Sequence, residues 1–243
     1  DGRAWQRVFG RKALVPAPEP LSEDTVYDLA SLTKAMVTAP VLMRLLEGGA
    51  LDLDAPVRTI VPAFAGGDAI TVRQLLTHSS GLPASLPLDS DWRGADAALA
   101  LACASRPTHA PDSFFRYSDI NYILLGEIAQ RIGGQPLDAL ADNWIFRPLG
   151  MADTGYLPLR RHAVERIAPT EIESGQALRG AVHDPTARRM GGVAGHAGIF
   201  GTAADVGRYA AMLLNGGSLD GVQVLKESSV ARMTRDANPA SVP

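Results

Sequence analysis

From Leu29 to Met43 the chain carries one charged side chain, Lys34, and the apolar positions continue through Leu45-Leu46 to Gly48-Gly49. That pattern predicts a helix apolar around its circumference and stopped by glycine, with Pro40 either kinking it or absorbed at a bend. Leu51-Asp52-Leu53-Asp54-Ala55-Pro56 follows, then a short helix to Ile60-Val61-Pro62. Thr71 to Leu76 reads as a Thr-capped helix, and residues 95–105, 119–132 and Leu137 to Trp144 repeat their apolar positions with a helical period. Ala203 to Leu214 is predicted as a helix opened by Thr202 and Asp205 in the manner of a capping box. One strand is expected, Arg3 to Phe9, after the turn dipeptide Asp1-Gly2, with its antiparallel partner upstream of residue 1. Pro16, Pro18 and Pro20 mark an extended loop, and Pro111 to Asp119 a turn that delivers Tyr117 to the start of a helix. Residues 147–190 have little periodicity and read as a long folded loop.

Composition narrows the class without naming a chemistry. A chain of 243 residues, 46% hydrophobic and 20% charged, can bury a sizeable core. Net charge is -3, so there is no electrostatic reason to expect a nucleic-acid partner; Arg160-Arg161 and Arg188-Arg189 read as solvated loop charges. Cys103 is the single cysteine, so no intrachain disulfide forms, and it is expected to pack as a small hydrophobe. No apolar run approaches the roughly 20 residues of a membrane span. The compartment, cytoplasmic or exported, stays open.

Only three lysines occur, and Lys34 stands three positions after Ser31. On a helix these positions share a face, so a hydroxyl and an ammonium can meet within one turn. Such a pair is a nucleophile with its activating cation, or else Ser31 caps the helix and Lys34 points to water. His78 invites a catalytic reading but is expected to be a loop histidine bonded to nearby backbone. No His-x-x-x-His occurs, so no zinc site or other cofactor is expected. Gly191 to Gly201 lacks a P-loop lysine and reads as tight backbone packing rather than a phosphate cradle.

Ser31-x-x-Lys34, followed 86 residues after the serine by Tyr117-Ser118-Asp119, resembles the serine β-lactamase and penicillin-binding-protein superfamily, specifically its class C-like hydrolases and esterases. Leu75 to Leu82, Tyr117 to Glu127, Pro148 to Met151 and Gly198 to Asp205 look like further signatures of that family, in family order. The resemblance implies an α+β fold: a mainly antiparallel sheet flanked by helices, with a helical, loop-rich portion and the site between them. Residues 1–55 and 197–243 are expected to form the sheet-and-helix region carrying Ser31, and 56–196 the helical, loop-rich region carrying Tyr117. Both ends look cut. His196-Ala197-Gly198 fits the letters of the family's third motif, a Lys/His-x-Gly on a strand. It comes early and leads directly into a helix, so His196 is assigned to the glycine-rich connection and the true motif is expected beyond Pro243.

The resemblance implies acyl transfer. Ser31 attacks a carbonyl, Lys34 holds the local charge, Tyr117 shuttles the serine proton, and water releases the acyl group. Asp119 stands where the family more often has asparagine. An ionised carboxylate can hold Lys34 but cannot donate to a substrate carbonyl, which disfavours β-lactams and suits an ester or a substrate offering an N–H or ammonium; otherwise Asp119 only pairs with Lys34. The expected function is a serine hydrolase taking a small-molecule ester, amide or β-lactam. The alternatives are a β-lactamase or D-alanyl-D-alanine peptidase, and a non-catalytic module that binds penicillin or peptidoglycan. Because a missing strand would take an oxyanion donor with it, the 243 residues alone are expected to be inactive or misfolded and a longer form active.

Overall fold

A computed structural model describes residues 5–237. The first elements are a hairpin of β1 (Arg11–Ala13) and β2 (Glu19–Pro20), then β3 (Tyr27–Asp28). The apolar segment coils next: a turn at Ser31, two helical residues, one π turn at Lys34–Thr38, and α1 (Ala39–Glu47). Pro40 accounts for the π turn. Its ring has no N–H and would collide with the carbonyl four residues back in a regular helix, so the ladder widens and the Ala39 N–H reaches the Lys34 carbonyl. The proline is absorbed rather than breaking the helix.

Four helices build most of the loop-rich half: α2 (Val57–Ile60), α3 (Val72–Leu76), α4 (Ala95–Ala104) and α5 (Asp119–Gly133). α3 opens with a true capping box, Thr71 accepting from Gln74 N–H while the Gln74 side chain accepts from Thr71 N–H. α5 is buried nearly all round, from Ile120 to Ala129, and packs against α1, α3 and α4 at the centre of the main core. α6 (Leu137–Ala141) continues as a second π turn, Asp142–Phe146.

Further along lie β4 (Gly155–Tyr156), the hairpin β5 (Ile172–Glu173) and β6 (Gln176–Ala177), α7 (Pro185–Arg189) and β7 (Ile199–Gly201). α8 (Ala203–Leu214), the hairpin β8 (Ser218–Leu219) and β9 (Val222–Gln223), and α9 (Glu227–Thr234) complete the described chain. The named strands all pair antiparallel, and the three-stranded sheet has the order β3-β7-β4 with buried Phe200 at its centre, opposite Asp28 on one side and Gly155 on the other. Helices predominate over short antiparallel ladders, an α+β arrangement of the expected kind. No helix among the described residues is long and apolar enough to cross a membrane.

Three expectations need correction. Residues 3 and 4 of the Arg3–Phe9 strand lie outside the described residues, and residues 5–9 form no ladder; the first hairpin uses Arg11–Ala13 instead. Residues 147–190 hold the β5–β6 hairpin, the strand β4, which pairs with β7, and the helix α7, each too brief to show periodicity. Arg160 is exposed, as expected of a loop charge, but its neighbours are tied down: Arg188 grips Glu173 with two hydrogen bonds at 2.7 and 3.0 Å, Arg189 donates to the Ser90 and Leu88 carbonyls, and Arg161 pairs with Asp142. A loop held together by short ladders needs such side-chain ties. Cys103 is buried, and burial pushes its thiol pKa up.

Candidate active site

The nucleophile candidate sits at a sharp bend between β3 and the helix. Asp28 makes that bend, its Oδ1 accepting from Ala30 N–H at 2.7 Å and its Oδ2 from His183 N–H at 2.8 Å, while Ala30 adopts a left-handed φ of 46°. Ser31 emerges exposed at the tip. One turn on, the Lys34 side chain is 6% exposed and spends all three ammonium donors: on Ser31 Oγ at 3.1 Å, Asp119 Oδ1 at 2.8 Å and the His196 carbonyl at 3.0 Å. With three acceptors around it, Lys34 is a donor here and cannot take the serine proton while charged.

Tyr117 and Asp119 arrive from the start of α5 and are held by the loop after α3. Ser118 caps α5 by accepting from Asn121 N–H, and its own hydroxyl donates to the Pro83 carbonyl at 2.6 Å. Asp119 N–H donates to the Ala84 carbonyl, and Ser80 Oγ bonds Asn121 Oδ1. His78 completes the brace. Its Nδ1 accepts from Ser118 N–H at 3.1 Å and its ring lies 4.6 Å from that of Tyr117. Burial, then the nearby Lys34 charge, drive the His78 pKa down to about 4, against an opposing pull from Asp119, so the imidazole is neutral near pH 7. It is a loop histidine bonded to nearby backbone that also props up Tyr117.

Ser31, Lys34 and Asp119 are thus brought together by direct hydrogen bonds. Tyr117 joins through its ring: the ammonium lies 4.6 Å from the ring centroid, and no hydrogen bond of the phenol oxygen occurs among the described residues. Tyr117 is 47% exposed and lines the same cleft of about 500 Å³ as Ser31 and Lys34. The opposite wall carries Arg73, Met233, Arg232 and Arg235.

His196-Ala197-Gly198 does not lead straight into a helix; the short strand β7 intervenes, its three apolar residues too few to reveal a period. The His196 ring is fully buried and bonded through Nε2 to Asp184 Oδ1 at 2.9 Å. Asp184 was not foreseen from sequence, and only the helix-start pattern Asp184-Pro185 hinted at its place as the cap of α7. Burial pushes its pKa up, but the hydrogen bond and charge of His196, the Ala187 N–H and the Lys34 charge outweigh that and hold the carboxyl below its ordinary value. Asp119, Asp184 and His196 bring potential metal-ligand atoms within 4.8 Å of one another. The Lys34 ammonium lies against this group, donating to Asp119 Oδ1 at 2.8 Å.

The Beta-lactamase family model matches residues 1–243. A protein of Escherichia coli (strain K12) named "Putative D-alanyl-D-alanine carboxypeptidase" is 31% identical over 265 residues, which take in 96% of this chain and 61% of that protein. This chain therefore spans about three fifths of the length of the curated relatives it matches. Among solved structures, the octameric penicillin-binding protein homologue from Pyrococcus abyssi superposes with a TM-score of 0.73 at 24% identity, covering 93% of this chain and 52% of that one. A class C β-lactamase superposes at 0.70 with 25% identity, covering 93% and 58%.

Proposed function

The chain belongs to the Beta-lactamase family, a family of hydrolases within the serine β-lactamase and penicillin-binding-protein superfamily, and on that premise we propose that it hydrolyses small esters or amides through an acyl-enzyme on Ser31. The observation that carries this reading is the buried Lys34 ammonium donating at once to Ser31 Oγ and Asp119. In the proposed reaction the Ser31 oxygen bonds to the substrate carbonyl carbon and its proton passes to the Tyr117 phenolate oxygen. The carbonyl electron pair moves onto oxygen beside the Ser31 N–H, then returns as the leaving group departs with the proton from Tyr117. Water repeats the sequence to release the acid. Lys34 donates to Ser31 Oγ while its ammonium faces the Tyr117 ring, 4.6 Å from the centroid. The phenol must swing toward Ser31 when substrate binds, a tightening common in hydrolase sites.

A fluorophosphonate probe tests the nucleophile: wild type is expected to be labelled covalently and Ser31→Ala to be spared. Equal labelling of both would remove Ser31 from the reaction. A second reading, a D-alanyl-D-alanine peptidase, is favoured by the name of the E. coli relative and by Arg232 and Arg235 in the cleft wall, cations suited to a peptide's terminal carboxylate. Faster release of D-alanine from a D-alanyl-D-alanine peptide than of nitrophenol from a nitrophenyl ester would select it. Long-lived stoichiometric acylation would instead mark a binding module.

A further inference from the structure

The segment 195–199 is stitched along one face of the Ser31 helix. Thr38 Oγ1 donates to the Gly195 carbonyl at 2.6 Å, Lys34 Nζ to the His196 carbonyl at 3.0 Å, and Ile199 N–H donates to Thr33 Oγ1 at 3.3 Å. Behind these contacts the His196 ring, fully buried, is tied to Asp184, whose Oδ1 accepts both His196 Nε2–H at 2.9 Å and Ala187 N–H at 2.7 Å. A connection needing only to fill space would not bury an imidazole against a carboxylate, because desolvating both is costly. The pair does two things to the lysine. It fixes the backbone carbonyl that takes one ammonium proton, and it sets a second negative charge close to the cation already held by Asp119, since atoms of Asp119, Asp184 and His196 lie within 4.8 Å of one another.

Resting on the reading of Ser31 as nucleophile, we propose that Asp184 and His196 are positioning residues that keep Lys34 charged and aimed at the Ser31 hydroxyl. The groups facing Lys34 are Ser31 from its own turn, Tyr117, Asp119 and the Tyr122 ring from the α5 region, His78 from the loop after α3, Asp184 from the α7 cap and His196 from the segment before β7. His78 is neutral near pH 7, so the carboxylates of Asp119 and Asp184 are the anions that stabilise the ammonium. Taking the charge from Asp184 removes one of the two anions beside the ammonium.

Asp184→Asn is a clean probe, because its amide oxygen can still accept from both Ala187 and His196. In the form of the protein that turns over a nitrophenyl ester, kcat/KM is measured against pH for wild type and this variant. The alkaline limb is expected to move to lower pH by about half a unit or more. A profile superimposable on wild type overturns the proposal whether or not the rate falls, since a merely structural role lowers the rate without moving the limb. His196→Ala is expected to lose at least about tenfold in rate, and His196→Gln, which keeps a donor for Asp184, to recover part of it. Equal rates for the two would remove the His196 side chain from the device, and this comparison stands even if Asp184→Asn fails to fold. Ser31→Ala separates the two levels: if it too is labelled by fluorophosphonate, the nucleophile reading fails, whereas a spared Ser31→Ala beside an unmoved limb defeats the positioning inference alone.

Discussion

Asp119 shows how one atom type at one position steers chemistry. As a carboxylate 2.8 Å from Lys34 it can only accept, so it holds the cation and offers no donor to an amide carbonyl in the cleft. Asp119→Asn keeps the shape and adds a donor while weakening the hold on Lys34. The expected result is a lower kcat/KM for a nitrophenyl ester and a ratio of cephalosporin to ester turnover raised by about tenfold, the scale of one hydrogen bond to a reacting group; an unchanged ratio would show that this position does not set the preference. His78 makes a different prediction, about stability. Its pKa is about 4 when folded and near 6.5 when unfolded, so the unfolded chain takes up a proton first as pH falls. The stability from burying the neutral ring is therefore intact above about pH 6.5 and is lost progressively down to about pH 4, by about 3 kcal/mol. Urea unfolding at pH 7 and pH 4.5 should show this slope in wild type and a shallower one in His78→Gln. A residue of this kind was legible as a bonded loop histidine, but its stacking on Tyr117 depends on two loops meeting, which no local pattern encodes.

The elements that matter most are the two that the backbone brings into contact: the helix carrying Lys34 and the glycine-rich segment before β7. The helix was readable because fifteen residues with one charge have few other ways to be buried, and Pro40 was expected either to kink it or to be absorbed at a bend; that it would produce a π turn depended on how the helix packs. The glycine-rich segment was readable as close packing, and its reason is geometric. A Cβ at Gly195 would stand 2.1 Å from the Tyr122 carbonyl oxygen, so α5 and this segment approach through bare backbone. Gly195→Ala must push the segment away, carrying the neighbouring His196 carbonyl off Lys34. The expected cost is about 1–3 kcal/mol of stability and at least about a tenfold slower fluorophosphonate reaction, read from urea midpoints and labelling rates. Wild-type labelling in this variant would mean that the His196 carbonyl is dispensable. β7 itself escaped notice because three residues cannot display an alternation, yet it is the middle strand of its sheet and ties β3 to β4.

At the scale of the molecule, the larger of two hydrophobic clusters among the described residues runs from Met36 through α3, α4, α5 and α6 to Tyr209, Leu225 and Val230, and a smaller one gathers Val26, Ile167, Ala187, Ala197 and Phe200. The larger cluster draws on both of the regions expected from sequence. Unfolding is therefore expected in one cooperative step, with tryptophan fluorescence and far-ultraviolet circular dichroism giving coincident urea transitions; two separated midpoints would show that the halves hold independently. What the sequence determined by itself is what rests on short-range rules: helices from apolar period and caps, glycine where backbones crowd, and a serine and lysine one turn apart because helical spacing demands it. Only the tertiary structure decided which distant groups meet that lysine. Asp119 lies 85 residues from it and His196 162, and Asp184, the cap of α7, is held beside both by its bond to His196. Those meetings depend on the summed packing of many weak contacts around α5, a property of the whole chain that no window of sequence contains.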